Sequence, residues 1–194
     1  MSWITEIPPD RAEGRLLEIY RELQARRGKV ANILQVHSLR PEALAAHLTL
    51  YMDLLFAPGG LSRKQREMIA VVVSRANNCT YCVAHHAEAL SRYFRSQSEL
   101  EQFASDYHSV ELSPSDRALL DYAVQLTVAP ATLTRESVER LRRFEFTSAD
   151  ILLANLIAAY FNFVNRIALG LGVEFTVDEV SGYHDKPAAR ATDH

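Results

Sequence analysis

Glu67, Cys79, Cys82 and His86 are the residues of this 194-residue chain whose types and spacing could do chemistry. Cys79-Thr80-Tyr81-Cys82 holds the two cysteines of the sequence, and His86 follows four residues after the second. A Cys-x-x-Cys pair can close and open a disulfide reversibly, and a nearby base turns one thiol into the thiolate, which is the reactive species. At about 100° per residue on a helix, with Cys79 at zero, Cys82 falls near about −60° and His86 near about −20°. The three share one stripe. His85 falls about 120° from Cys79, on another side, so His86 is the candidate base. Glu67 comes from the preceding segment and could fold back to meet His86, where a carboxylate fixes the tautomer and supports the positive form of the ring. The set resembles a nucleophile, a base and an orienter.

Cys79 begins or nearly begins a helix, and exposed backbone N–H groups at a helix start favour a thiolate. Such placements lower a thiol that titrates near about 8.5 by a unit or more. Thiolate at neutral pH is what attack on a peroxide requires: one sulfur becomes a sulfenic acid, the other condenses with it to a disulfide, and an external dithiol reopens the bridge. Other readings use the same residues. Cys79, Cys82 and His86 could supply three ligands of a zinc site with Glu67 or water as the fourth, or the cysteines could be inert core residues. Taken singly, His86 reads as a helix histidine and Glu67 as a solvated face; their joint spacing points to chemistry. His37, His47, His108 and His184 have no partner visible in sequence and read as structural or surface residues. Arg75 and Tyr81 flank the motif and could bind or shield it, or simply pack.

The elements that must position these residues read as helices from end to end. Pro8-Pro9-Asp10 precedes Leu16, Leu17, Tyr20 and Leu23 at helical spacing. Pro41 opens a run through Leu44, Leu48, Met52 and Leu55 that Pro58-Gly59-Gly60 stops. Ser62-x-x-Gln65 reads as a capping box for the helix carrying Glu67 and Met68–Val73, which Asn77-Asn78 break. The Val71–Val73 run alone could be a strand, but its flanks from Ser62 to Arg75 are too long for one. Ser96-x-x-Glu99 and Thr147-x-x-Asp150 form two further boxes, Pro114 suits a first helical turn, and Thr134 could cap a helix through Arg143. The stretch Ser148 to Leu169 predicts a helix apolar nearly all round, buried centrally or at a subunit interface. A weak internal repeat aligns Glu67…Cys79-x-x-Cys82 with Asp150…Asn162-x-x-Asn165, either as a duplication that lost its thiols or as coincidence. One domain over residues 1–180 is expected, with the polar stretch 181–194 loose.

The formal net charge is −3 with 48% hydrophobic residues. No basic stripe points to nucleic acid. No apolar run is expected to reach the roughly 18–20 residues that span a bilayer. The first residues lack the build of a signal peptide, so a cytoplasmic location is expected, where a structural disulfide is rare. No dinucleotide-binding glycine fingerprint or flavin motif is visible, so no cofactor is expected and electrons should come from a separate dithiol.

The pattern Glu67…Cys79-x-x-Cys82…His86 resembles the signature of the alkylhydroperoxidase AhpD-like, or carboxymuconolactone decarboxylase, superfamily. Asn32-Ile33-Leu34, Val36 to Pro41, Leu61-Ser62-Arg63, Arg66 to Ala70, Asn78 to His86 and Phe161-Asn162-x-x-Asn165-Arg166 resemble its uncharacterized peroxidase-related branch. The resemblance implies an all-α fold of helix-hairpin repeats, homo-oligomers (trimers or hexamers) and thiol peroxidase activity on a small hydroperoxide. It implies that Cys82 is peroxidatic, Cys79 resolving, and Glu67 and His86 the proton relay. The wheel selects the same histidine but does not rank the cysteines. Well-studied members carry a histidine where this chain has Tyr81. Members that act as decarboxylases lack the cysteine pair.

Overall fold

The structure is a computed structural model of the chain and describes residues 2–181. His184 and the polar stretch from 182 onward lie outside the described residues. The described residues form α1 (Gly14–Arg27), α2 (Asn32–Gln35), α3 (Pro41–Phe56), α4 (Arg63–Ala76), α5 (Thr80–Leu90), α6 (Gln97–Ser105), α7 (Pro114–Val128), α8 (Arg135–Arg142), α9 (Ser148–Gly170) and α10 (Val177–Val180), with no strand among them. The fold is all-α, as its sequence pattern predicts.

α4 is the axis of the core, packed against α5, α7 and α9. Every residue from Arg66 to Ser74 is buried, so the run Met68–Val73 must be apolar on all sides rather than along one stripe. Ser62 and Gln65 close both halves of the predicted capping box at the start of this helix. Arg66 is buried and its guanidinium donates to the carbonyls of Leu54, Ala57 and Leu61. It thereby satisfies orphan carbonyls at the C-terminal end of α3, where the helix dipole also favours a cation.

Asn78 takes a left-handed backbone, φ 56°, a conformation asparagine tolerates better than most residues. The Cys79 N–H then donates to Ser74 O at 2.8 Å, and α5 turns back along α4. Thr147 and Asp150 form a complete capping box for α9, and Gly60 is required beside it: a Cβ there would lie 1.7 Å from Asp150 Oδ1.

α9 differs from one expectation. Its 23 residues contain an 18-residue window of mean hydropathy 1.4, long and apolar enough to cross a membrane by length and composition, although half of that window is buried inside this fold. Asn155, Asn162 and Asn165 interrupt the run while leaving its average apolar. The buried side includes Ala154, Ile157, Ala158, Phe161 and Val164; Leu152, Leu156 and Phe163 face outward. The aligned repeat does not correspond to two equivalent hairpins. Residues 67–82 break into two helices at Asn78, whereas 150–165 run unbroken within α9.

Candidate active site

The α4–α5 hairpin brings Glu67 to His86. Glu67 Oε2 accepts from His86 Nδ1 at 2.6 Å, and the other carboxylate oxygen accepts from Arg63. Glu67 is fully buried and His86 nearly so. Burial alone would raise the Glu67 pKa, but the charge and hydrogen bond of His86 and the Arg63 guanidinium outweigh it and hold the carboxyl below its ordinary value. With Nδ1–H committed to a carboxylate, the neutral ring carries its lone pair on Nε2, the arrangement a general base needs. Phe161 stands edge-on to the ring, 4.6 Å between centroids, and limits its rotation.

Cys79 and Cys82 are free thiols, both buried. Cys79 is the N-cap residue of α5. Its thiol is pulled down to about 7, first by a hydrogen bond from the Cys82 thiol, against burial, with further help from the N–H groups of Cys82 and Tyr81 and from Asn165. The capping contact is not a regular hydrogen bond, so the helix start contributes less than the neighbouring thiol. Cys82 is pushed well up by that same shared hydrogen bond, by burial and by charge on Cys79, with Asn165 and Ser74 opposing. The two sulfurs therefore titrate as one unit, and the first charge rests on Cys79. A lowered thiol was expected from the helix start; its main cause is the partner cysteine, and it falls on the residue to which the resemblance gives the resolving role.

Cys82 and His86 line a cavity whose wall includes Tyr81, His85, Phe161 and Val164; Cys79 does not line it. The cavity offers about 20 Å³ to a water-sized molecule, room for about one.

Several residues of the site were not legible as such. His85, set aside by the wheel, lines the same cavity, because the aperture is wider than one stripe. Its Nδ1 bonds Tyr81 O at 2.8 Å, its ring stacks on Tyr81, and Nε2 lies 3.6 Å from Glu179 Oε1. Tyr81 O–H donates to Glu179 Oε1 at 2.5 Å and accepts from the Ile33 N–H. Asn32 donates to both Glu179 oxygens. Burial raises the Glu179 pKa, but His85, then Tyr81 and Asn32, outweigh it and hold the carboxyl below its ordinary value. Glu179, from the far end of the sequence, thus anchors the residue between the two cysteines. Asn165 donates to Ser74 Oγ at 3.0 Å and accepts from Asn77, behind the thiol pair. Its sequence signals were its place in the repeat alignment opposite Cys82 and in the Asn162-x-x-Asn165-Arg166 run of the resemblance. Of the two roles open to it, structural or surface, His47 is buried, and it also lines the cavity. Arg75 is directed elsewhere, to Ser105 O. Among the described residues, no three His, Cys, Asp or Glu side chains are grouped to hold a metal ion.

The fold is all-α and carries a buried thiol pair near a hydrogen-bonded histidine–carboxylate pair. The model of the carboxymuconolactone decarboxylase family matches residues 41–125. Two solved structures share the fold closely. One, the alkylhydroperoxidase AhpD core of an uncharacterized peroxidase-related protein from Ralstonia eutropha JMP134, has a TM-score of 0.84 and 28% identity over 95% of this chain and 98% of that chain. The other, an uncharacterized peroxidase-related protein from Silicibacter sp. TM1040, has a TM-score of 0.80 and 27% identity over 94% of this chain and 93% of that one. The debrominase Bmp8 shares the fold at TM-score 0.75 and 19% identity, over 93% of this chain and 97% of its own. Among curated proteins, the uncharacterized protein YdfG of Bacillus subtilis (strain 168) is 23% identical over 140 residues, 70% of this chain and 91% of that protein. The match over residues 41–125 and the likeness to the two peroxidase-related structures support an AhpD-like, carboxymuconolactone decarboxylase superfamily assignment.

Proposed function

We propose that the protein is a thiol peroxidase that reduces hydroperoxides through Cys82 and Cys79. The observation that carries this reading is the buried, neighbouring pair of free thiols, with Cys82 on the cavity that the Glu67-held His86 also lines. Cys82 is given the attack because a peroxide in the cavity meets its sulfur and not that of Cys79. His86 takes the Cys82 proton, and the thiolate attacks one peroxide oxygen. The O–O bond breaks, the leaving alkoxide or hydroxide takes the proton from His86, and Cys82 becomes a sulfenic acid. Cys79, about half of it thiolate at pH 7 with its pKa lowered to about 7, then attacks the Cys82 sulfur. The S–O bond breaks, and the departing hydroxide takes up the proton that Cys79 released, leaving as water. Two thiols and one hydroperoxide thus give a disulfide, an alcohol and water. An external dithiol returns the two electrons by thiol–disulfide exchange.

The outward stripe of Leu152, Leu156 and Phe163 on α9 supports working as a homo-oligomer, since monomers rarely leave such apolar stripes uncovered. Stopped-flow mixing of reduced protein with hydroperoxide tests the activity: peroxide should be consumed with loss of two thiols per molecule. A Cys82→Ser variant that consumes peroxide as fast as the parent refutes the assignment. Rapid reduction of a model disulfide without peroxide turnover would instead identify a disulfide oxidoreductase.

A further inference from the structure

The cavity beside Cys82 has a second polar end that the thiol chemistry does not use. His47, on α3, is only 7% exposed and lines the same cavity as Cys82. Its Nε2 is within 2.8 Å of the Tyr160 hydroxyl. Its Nδ1 is buried and has no hydrogen-bond partner among the described residues. Burial, with the neighbouring His37 and Arg27 charges, pushes its pKa down to about 3, so the ring is neutral. A buried imidazole nitrogen without a partner costs about 1–3 kcal/mol, which a polar atom entering the cavity would recover.

We propose that this end is a binding subsite for a small peroxide, hydrogen peroxide above all, with His47 Nδ1 as its hydrogen-bond partner. The proposal rests on the thiol peroxidase reading. Two observations select the ligand. The first is two-handedness. If Tyr160 O–H donates to Nε2, Nδ1 is a donor; if Nε2–H donates to Tyr160, Nδ1 is an acceptor. Hydrogen peroxide can donate and accept, so it satisfies either tautomer. The second is size. The cavity wall includes Leu34, Tyr51, Phe161 and Val164, and it leaves only about 20 Å³. A cumyl group does not fit without displacing this wall, whereas a two-oxygen molecule needs little adjustment. Tyr160 is then a positioning residue that fixes the His47 ring.

The test measures oxidation of the reduced protein by hydrogen peroxide and, in parallel, alkylation of Cys82 by iodoacetamide. His47→Phe should slow oxidation by hydrogen peroxide about tenfold, the size of one buried hydrogen bond, while leaving alkylation unchanged. His47→Gln, which keeps a hydrogen-bonding end, should recover most of the rate. If His47→Phe reacts with hydrogen peroxide like the parent, Nδ1 serves at most a buried water and the subsite is refuted. If oxidation and alkylation fall together, His47 acts on the thiol and the subsite is refuted as well. A parent that is alkylated but not oxidised by any hydroperoxide overturns the peroxidase reading itself. The unaltered protein gives an independent measure should His47→Phe fail to fold. It should prefer hydrogen peroxide to cumene hydroperoxide by at least about tenfold, and equal rates would overturn the size assignment.

Discussion

Replacing Cys82 by alanine isolates the cause of the depressed Cys79 thiol. The first contribution to that depression is the hydrogen bond from the Cys82 thiol, which with the Cys82 and Tyr81 N–H groups and Asn165 brings Cys79 down to about 7 against the effect of burial. Alanine removes the donor and leaves burial in place, so the Cys79 pKa should climb back by about one to two units. At pH 7 a thiol of pKa 7 is about half thiolate, whereas one of pKa 9 is about 1% thiolate. Thiolate absorbance near about 240 nm, followed from pH 5 to 10, reads this directly and needs no reagent to reach the buried sulfur. The parent should show a first inflection near 7 and a second well above it, and Cys82→Ala a single late one. Serine is a weaker test, because its hydroxyl still donates. A Cys82→Ala protein whose Cys79 still titrates near 7 would refute the coupled-pair argument and move the cause to the helix start and Asn165.

Three further outcomes follow from the same geometry. Glu67→Gln should reduce the rate of oxidation by peroxide about 10- to 100-fold by weakening support for the protonated His86; it should also destabilise the fold by about 3 kcal/mol in urea titrations, because Arg63 loses a buried counter-charge. Gly60→Ala should lower stability by about 1–3 kcal/mol in thermal or urea unfolding, since its Cβ would displace the Asp150 carboxylate that caps α9. Glu179→Ala should cost about 1–3 kcal/mol and speed amide exchange at Asn32, whose N–H it accepts. The folded Glu179 pKa lies below its ordinary value, so its stabilising contribution is present above the unfolded value near 4.5 and is lost as pH falls through the folded one. Exchange at Asn32 should accelerate on acidification in the parent and not in Glu179→Ala.

Much of the architecture was open to a reader of the chain because its signals are local. Ser62 with Gln65 and Thr147 with Asp150 act within one turn of their own helices, and Asn78 ends α4 through its own backbone. The Glu67–His86 contact was also inferable, since a tight turn between two helices leaves few ways for them to pack. Ser96 was only half right: it caps the Glu99 N–H, but the Glu99 carboxylate reaches the Arg95 N–H instead of returning to Ser96. That His85 and His47 also reach the cavity of Cys82 was not legible, because a wheel describes one helix, while a cavity is bounded by several.

The chain by itself determined the helices, the place of the thiols at the start of one of them, and the histidine four residues on. These depend on spacing along a helix of known pitch, which no distant contact alters. The folded molecule alone decided which thiol carries the first charge, because that depends on a hydrogen bond between sulfurs and on Asn165 and Ser74 arriving from other helices. It alone joined Tyr81 to Glu179 across 98 residues. It also placed His47 on the cavity of Cys82. Burial and long-range pairing set the energies of polar groups, and neither is written in the spacing of neighbours.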